Sequence, residues 1–286
     1  MLHFVEPEKK LTRHWPLLLG AALKRAGPHQ DFWLTLPWQD LSANTLSNYH
    51  RMFQFVATTR PLTSYFLPIQ RAQLYCMLNR SFGFSPVGLI HTKNSMRWLQ
   101  PAAALPVTGQ LQLSTAIQLL DSDPSQPLIC QFSSYLHPKL EQFPAHPGEL
   151  PSVYLHCQSH YLLKRGNTSE ARAPLQAPER TTASAHWQAT VRAARQYAWL
   201  SGDLNPIHLS NLSAKLLGMR QAIMHGMHTV AMVEAALTQQ QAPLIALSAN
   251  FKRALPLGQS AHLFRHSAES GSVWQADNLV MQFDYC

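Results

Sequence analysis

The sequence predicts an α+β chain built from two units of like order, and three observations carry that expectation. Its 286 residues are long enough for two domains of ordinary size, and an apolar fraction of 46% is that of a globular protein. Two apolar helical runs, Ile69 to Leu78 and Thr229 to Leu237, are each followed by residues of strand character. From Pro68 to Asn94 and from Gly226 to Asn250, the offsets from helix start to an Asn-punctuated strand pair differ by only two residues.

Taken in order, Trp15 to Leu23 reads as a short helix, too short to span a bilayer, and its Lys24-Arg25 flank is unlike a signal-peptide cleavage site. A cytoplasmic protein without membrane attachment is expected. Trp33 to Pro37 is extended, and Ser42 opens a helix with Leu46, Tyr49 and Phe53 at helical spacing. Strands are expected at Val87–Thr92, Ser95–Trp98, Gln110–Leu120, Ile129–Tyr135 and Val153–Leu163. The first buried helix carries no acid or imidazole, so it should line a tunnel or fill a core. Residues 166–185, rich in Thr, Ser, Pro and Ala without apolar period, read as a linker between a unit at 1–165 and a second at 186–286. The second unit should hold a helix from Ala189 to Tyr197, then strands at Leu244–Asn250, Lys252–Leu255, His262–Ser267 and Trp274–Phe283.

Bulk chemistry excludes some functions. Cys76, Cys130, Cys157 and Cys286 lack the spacing of a zinc site or disulfide framework, so no metal or cofactor is expected. The net charge of +8 is spread without a basic stripe interleaved with aromatics, which argues against nucleic acid.

Chemistry concentrates between Tyr197 and Met227. Within Tyr-Ala-Trp-Leu-Ser-Gly-Asp-Leu-Asn-Pro-Ile-His, Gly202 permits a turn and Pro206 stiffens the chain, so Asp203 and His208 should sit on a rigid loop. His225-Gly226-Met227 then opens the apolar helix, whose free first-turn N–H groups and partial positive charge make Gly226 a candidate oxyanion donor. The first unit spends nineteen positions from Tyr49 to Pro68 where the second spends twenty-nine from Tyr197 to Gly226, and it lacks the Asp-to-His loop.

These residues, together with a fainter first half in Pro61-Leu-Thr-Ser-Tyr65, Gly88-Leu-Ile-His91 and Asn94, resemble the signature of the MaoC-like acyl dehydratases, which include (R)-specific enoyl-CoA hydratases. The resemblance implies a double hot-dog fold, each unit wrapping an antiparallel sheet round a central helix. It implies that Asp203 and His208 activate water, that the Gly226 N–H holds the thioester carbonyl, and that Asn205 holds the loop. Ser201 and His225 are further candidates for substrate binding. Lys252 and Arg253, with Lys215 and Arg220, are candidates for the phosphates of an acyl-CoA or acyl-carrier substrate. His228 and Glu234 depart from the small or apolar residues expected on the central helix. A hydro-lyase acting on trans-2-enoyl thioesters is the reading the motif favours. A carrier-protein dehydratase, a non-catalytic thioester-binding subunit and a hot-dog thioesterase are the alternatives, and homodimerisation is left open.

Overall fold

The computed structural model describes residues 1–9, 11, 20–21, 23–56, 60–86, 88–106, 108–120, 128–163, 182–239 and 242–286. Of the expected helix Trp15 to Leu23 only Gly20, Ala21 and Leu23 fall within these, and residues 166–181 of the expected linker lie outside them. The chain divides into two compact units, Met1–Leu41 with Phe66–Asn167, and Ser42–Tyr65 with Thr168–Cys286.

Among the described residues, unit 1 contains six strands: β1 (Leu2–Val5), β2 (Phe32–Pro37), β3 (Ile90–Trp98), β4 (Leu111–Leu120), β5 (Ile129–Pro138) and β6 (Leu155–Leu162). Their order is β1-β2-β4-β5-β6-β3, with β1 parallel to β2 and the other pairs antiparallel. In β6, Leu155, Cys157, Ser159 and Tyr161 are buried while the alternate residues are half-buried, the period of a sheet with one face on a core. The helix Phe66–Leu78 packs against β4 and buries Phe66, Leu67, Ile69, Ala72, Cys76 and Met77. Of the two roles expected for it, the structure supports filling a core. Gln73, fully buried on this helix, donates to Ser159 at 3.2 Å and accepts from the Tyr161 hydroxyl at 3.0 Å.

Two strands expected at Val87–Thr92 and Ser95–Trp98 are one strand, β3, with an irregularity in register between His91 and Lys93. Asn94 does not punctuate it. Its side chain is buried and donates to Ser159 at 3.0 Å, so a residue that usually favours turns is satisfied inside a strand.

Unit 2 begins with α1 (Ala43–Phe53), capped by the Ser42 side chain, which accepts from the Thr45 N–H as the sequence predicts. Here the division departs from a boundary at residue 165, because Ser42–Tyr65 groups with the second unit rather than the first. Further α-helices among the described residues are α2, the helix Phe66–Leu78 of unit 1, then α3 (Val191–Ser201), α4 (Asn211–Leu216) and α5 (Gly226–Thr238). Among the described residues, five strands follow the antiparallel order β8-β11-β10-β9-β7, with β7 Ala185–Gln188, β8 Ala246–Phe251, β9 Ser260–Arg265, β10 Ser270–Gln275 and β11 Asn278–Tyr285. The single strand expected at Trp274–Phe283 is instead a hairpin, turning at Ala276, whose φ is +47°, and Asp277. Lys252–Leu255 is not a strand. The Lys252 and Arg253 N–H groups converge on one carbonyl, Val280, at 2.8 and 3.2 Å.

The central helix α5 packs on β8 and buries residues on every side, including Glu234. A carboxylate with no access to water needs donors, and it finds them on the 3-10 turn Leu62–Tyr65. Glu234 accepts from the Leu62 N–H at 2.6 Å, the Thr63 N–H at 2.9 Å and the Thr63 hydroxyl. Tyr49 in turn donates to the Thr63 hydroxyl at 2.7 Å. Burial raises the Glu234 pKa while the donors pull it down. This attachment explains why Ser42–Tyr65 belongs to unit 2.

Replacing Glu234 by Ala strands two backbone donors and a hydroxyl, so urea unfolding should show a loss of about 2–5 kcal/mol. Tyr49→Phe, which removes one outer hydrogen bond, should cost about 1 kcal/mol in the same measurement.

Candidate active site

The loop is built from its own backbone outward. Helix α3 ends at Gly202, whose φ of +81° is the left-handed cap that a Cβ would resist. Ser201, buried, donates to the Tyr197 carbonyl at 2.8 Å and accepts from the Asp203 N–H at 3.2 Å. The Asn205 N–H donates to the Asp203 carboxylate at 3.3 Å, and the Asn205 side chain accepts from the Ile207 N–H at 3.3 Å. Pro206 then starts the 3-10 turn Pro206–His208. Ser201 and Asn205 therefore hold the loop, and their recorded bonds are to its backbone.

Two bonds clasp this loop to the segment entering α5. The Ile223 N–H donates to the Ile207 carbonyl at 3.1 Å, and His208 Nδ1–H donates to the Ile223 carbonyl at 2.8 Å. A carbonyl can only accept, so the proton sits on Nδ1 and Nε2 is the basic nitrogen. His225 is oriented likewise: Nε2–H donates to the Asp203 carbonyl at 3.0 Å. The two imidazoles stack with centroids 3.7 Å apart and planes 27° from parallel. One ligand-type atom from each of Asp203, His208 and His225 lies within 4.8 Å of the others.

Among the described residues, those three are the set that could hold a metal ion. Each ring donates one N–H to a backbone carbonyl, which leaves one nitrogen per ring, beside the Asp203 carboxylate, to accept from a water or to meet an ion.

Electrostatics keep the imidazoles neutral. Burial lowers the His208 pKa, against opposing pulls from Asp203 and the Ile223 carbonyl. Burial and then the neighbouring His208 push His225 down to about 3, and burial pushes His228 to about 3. His228 packs between Phe53, at 5.1 Å between ring centroids, and Tyr197, at 5.6 Å. It is a buried aromatic partner in the core of unit 2. Glu234 is the cap of the Leu62–Tyr65 turn, so both departures on the central helix have roles in packing.

Gly226 is the first residue of α5, where helical geometry offers its N–H no acceptor within the helix. Among the described residues no acceptor for it is recorded. A Cβ at this position would lie 2.9 Å from Phe251 Cε1, so the glycine also permits the close approach of helix and strand. Lys252 follows that phenylalanine and is half-buried, while Arg253 is exposed and donates to the Asn278 side chain at 3.1 Å.

The structure thus brings together Asp203, His208, His225 and the start of α5, and gives Ser201 and Asn205 supporting places. Sequence reasoning missed the stacking of His225 beneath His208 and the cap made by Glu234. The second had a signal: a lone acid on an apolar helix requires buried donors.

The chain is similar to known proteins in sequence and in fold. Residues 167–260 match the family model for the MaoC like domain. The 3-hydroxyacyl-thioester dehydratase X of Mycobacterium tuberculosis is 26% identical over 191 residues, 66% of this chain and 64% of that protein. A fatty acid synthase beta subunit, hexB of Dothistroma septosporum, is 33% identical over 76 residues, 27% of this chain and 4% of its own length. The chain thus spans less than two thirds of the length of these curated relatives. In structure, HtdX of Mycobacterium tuberculosis superposes with a TM-score of 0.67 at 19% identity, covering 88% of this chain and 98% of HtdX. Peroxisomal multifunctional enzyme type 2 of Drosophila melanogaster gives 0.56 at 19% identity, over 89% of this chain and 48% of that one. A conserved hypothetical Mycobacterium tuberculosis protein described as a double hot-dog gives 0.53 at 10% identity, over 93% and 96%. The chain has a double hot-dog fold, and its residues 167–260 match the MaoC like domain.

Proposed function

We propose that the second unit is a hydro-lyase that adds water reversibly to trans-2-enoyl thioesters, forming (3R)-3-hydroxyacyl thioesters. The observation that carries this reading is the gathering of the Asp203 carboxylate and the neutral His208 imidazole on one rigid turn, beside the opening of α5. The likeness to a 3-hydroxyacyl-thioester dehydratase supports it, since dehydration is the same reaction run backwards.

Hydration needs a base for water, charge stabilisation at the carbonyl, and a proton for the α-carbon. A water held between Asp203 and His208 loses a proton to Nε2 as its oxygen bonds to the β-carbon. The π electrons of the double bond shift toward the carbonyl, and the Gly226 N–H donates to the resulting enolate oxygen. Collapse of the enolate returns a proton from the His208–Asp203 pair to the α-carbon. The net change is one hydroxyl at the β-carbon and one hydrogen at the α-carbon. In the reverse direction the same pair removes the α-proton and protonates the departing hydroxyl. His225 is a positioning residue here, stacked on His208 and bonded to the Asp203 carbonyl.

Asp203→Asn and His208→Ala should each lower kcat for crotonyl-CoA by at least about 100-fold, with circular dichroism unchanged. Turnover at the unaltered rate in both variants would overturn the assignment. Binding of the thioester by the unmodified chain without turnover would favour a non-catalytic subunit, and release of free thiol a thioesterase. Dialysis against EDTA should leave the rate unchanged.

The pH profile supplies a separate test. Because burial depresses the His208 pKa from 6.5, the neutral base persists to lower pH, and the acid limb of kcat/KM should fall below pH 6.5. An acid limb above that value would contradict the role given to His208.

A further inference from the structure

Two helices flank the Pro206–His208 turn, and both carry large apolar side chains to the surface. Trp199 on α3 is 65% exposed, while Leu212 and Leu216 on α4 are 73% and 79% exposed. Leu212 and Leu216 are one helical turn apart and share a face. Both helices pack against the turn that bears His208, and Arg195 Nε donates to the Leu209 carbonyl at 3.0 Å, fastening α3 to the end of the loop. None of this exposed apolar surface is used by the chemistry proposed above.

Its charge is one-sided. Between Val191 and Val233 the chain holds Arg192, Arg195, Lys215 and Arg220, all exposed, and Asp203 is the only acid. Exposed tryptophan and arginine side by side are what protein interfaces favour, and the exposed bases that α3 and α4 carry, with no acid on either helix, favour an acidic partner. A second copy of this chain would bring like charges together. On α3 the stripe Val191, Arg195, Trp199 alternates apolar with charged rather than presenting the continuous apolar face that a bilayer interface takes.

From this surface we infer that α3 and α4 dock an acidic acyl-carrier protein, whose thioester-bearing arm enters beside the Pro206–His208 turn. The inference rests on the hydro-lyase reading and names the carrier of its substrate.

The test compares crotonyl-loaded acyl carrier protein with crotonyl-pantetheine, which bears the same thioester without the protein. For Trp199→Ser combined with Leu216→Ser, and for Arg192→Glu, kcat/KM on the carrier should fall about tenfold or more. The rate on crotonyl-pantetheine should stay within about twofold of the unmodified chain, which also shows that the variants fold. Unchanged kcat/KM on the carrier would overturn the inference. So would unchanged carrier kinetics accompanied by loss of binding to phosphatidylglycerol vesicles, or by loss of a dimer in sedimentation. If the unmodified chain turns over neither substrate, the hydro-lyase reading has failed on its own. Docking is then decided by interferometry with the loaded carrier: binding lost in the variants sustains the surface, and equal binding rejects it.

Discussion

The loop after α3 and the approach to α5 are joined by the backbone contact of Ile223 with Ile207, by His225 Nε2–H on the Asp203 carbonyl, and above all by the hydrogen bond from His208 Nδ1 to the Ile223 carbonyl. With it, the imidazole is fixed in orientation and tautomer by a group that cannot donate. Burial then keeps the ring neutral, and stacking on His225 limits its tilt. The catalytic reading therefore depends on ordinary backbone chemistry: a left-handed cap at Gly202, side-chain turns at Asp203 and Asn205, and a proline that starts the last turn. Each of these directs the chain toward the same point.

Much of this was legible in the sequence because it is local. Ser42 caps its helix as read, and the apolar runs are the central helices. The Tyr197–Met227 stretch holds its polar groups on a loop and a helix start. What failed depended on distant partners. Asn94 looked like punctuation because its partner Ser159 lies on another strand, sixty-five residues away in sequence. The turn at Ala276 and Asp277 was overlooked because apolar residues run on both sides of it. The allegiance of Ser42–Tyr65 was illegible for the same reason, since it is decided by Glu234, 172 positions beyond Leu62.

The two units put polar groups to different uses. In unit 1, Gln73, Asn94, Ser159 and Tyr161 satisfy one another beneath the central helix. Such a seam fixes the register of helix against sheet, because a shifted helix would leave buried amides without partners. In unit 2 the polar groups gather at the start of the central helix, where they hold a loop open to chemistry. Between Gln54 and Leu62, where the first half of the chain reaches its own helix, the sequence contains neither an acid nor an imidazole. The amides of Leu62 and Thr63 are taken by Glu234 instead.

That attachment has an architectural consequence. The piece of chain that completes unit 2 is encoded more than a hundred residues upstream of the rest of it, inside the sequence of unit 1. A gene fragment cut at the repeat boundary would deliver every residue of the Asp203–Gly226 loop and still leave the Glu234 carboxyl in the protein interior without the donors of Leu62 and Thr63. The two halves therefore duplicate a design without being interchangeable parts, and any ancestral or engineered single-unit form would have to change position 234 first.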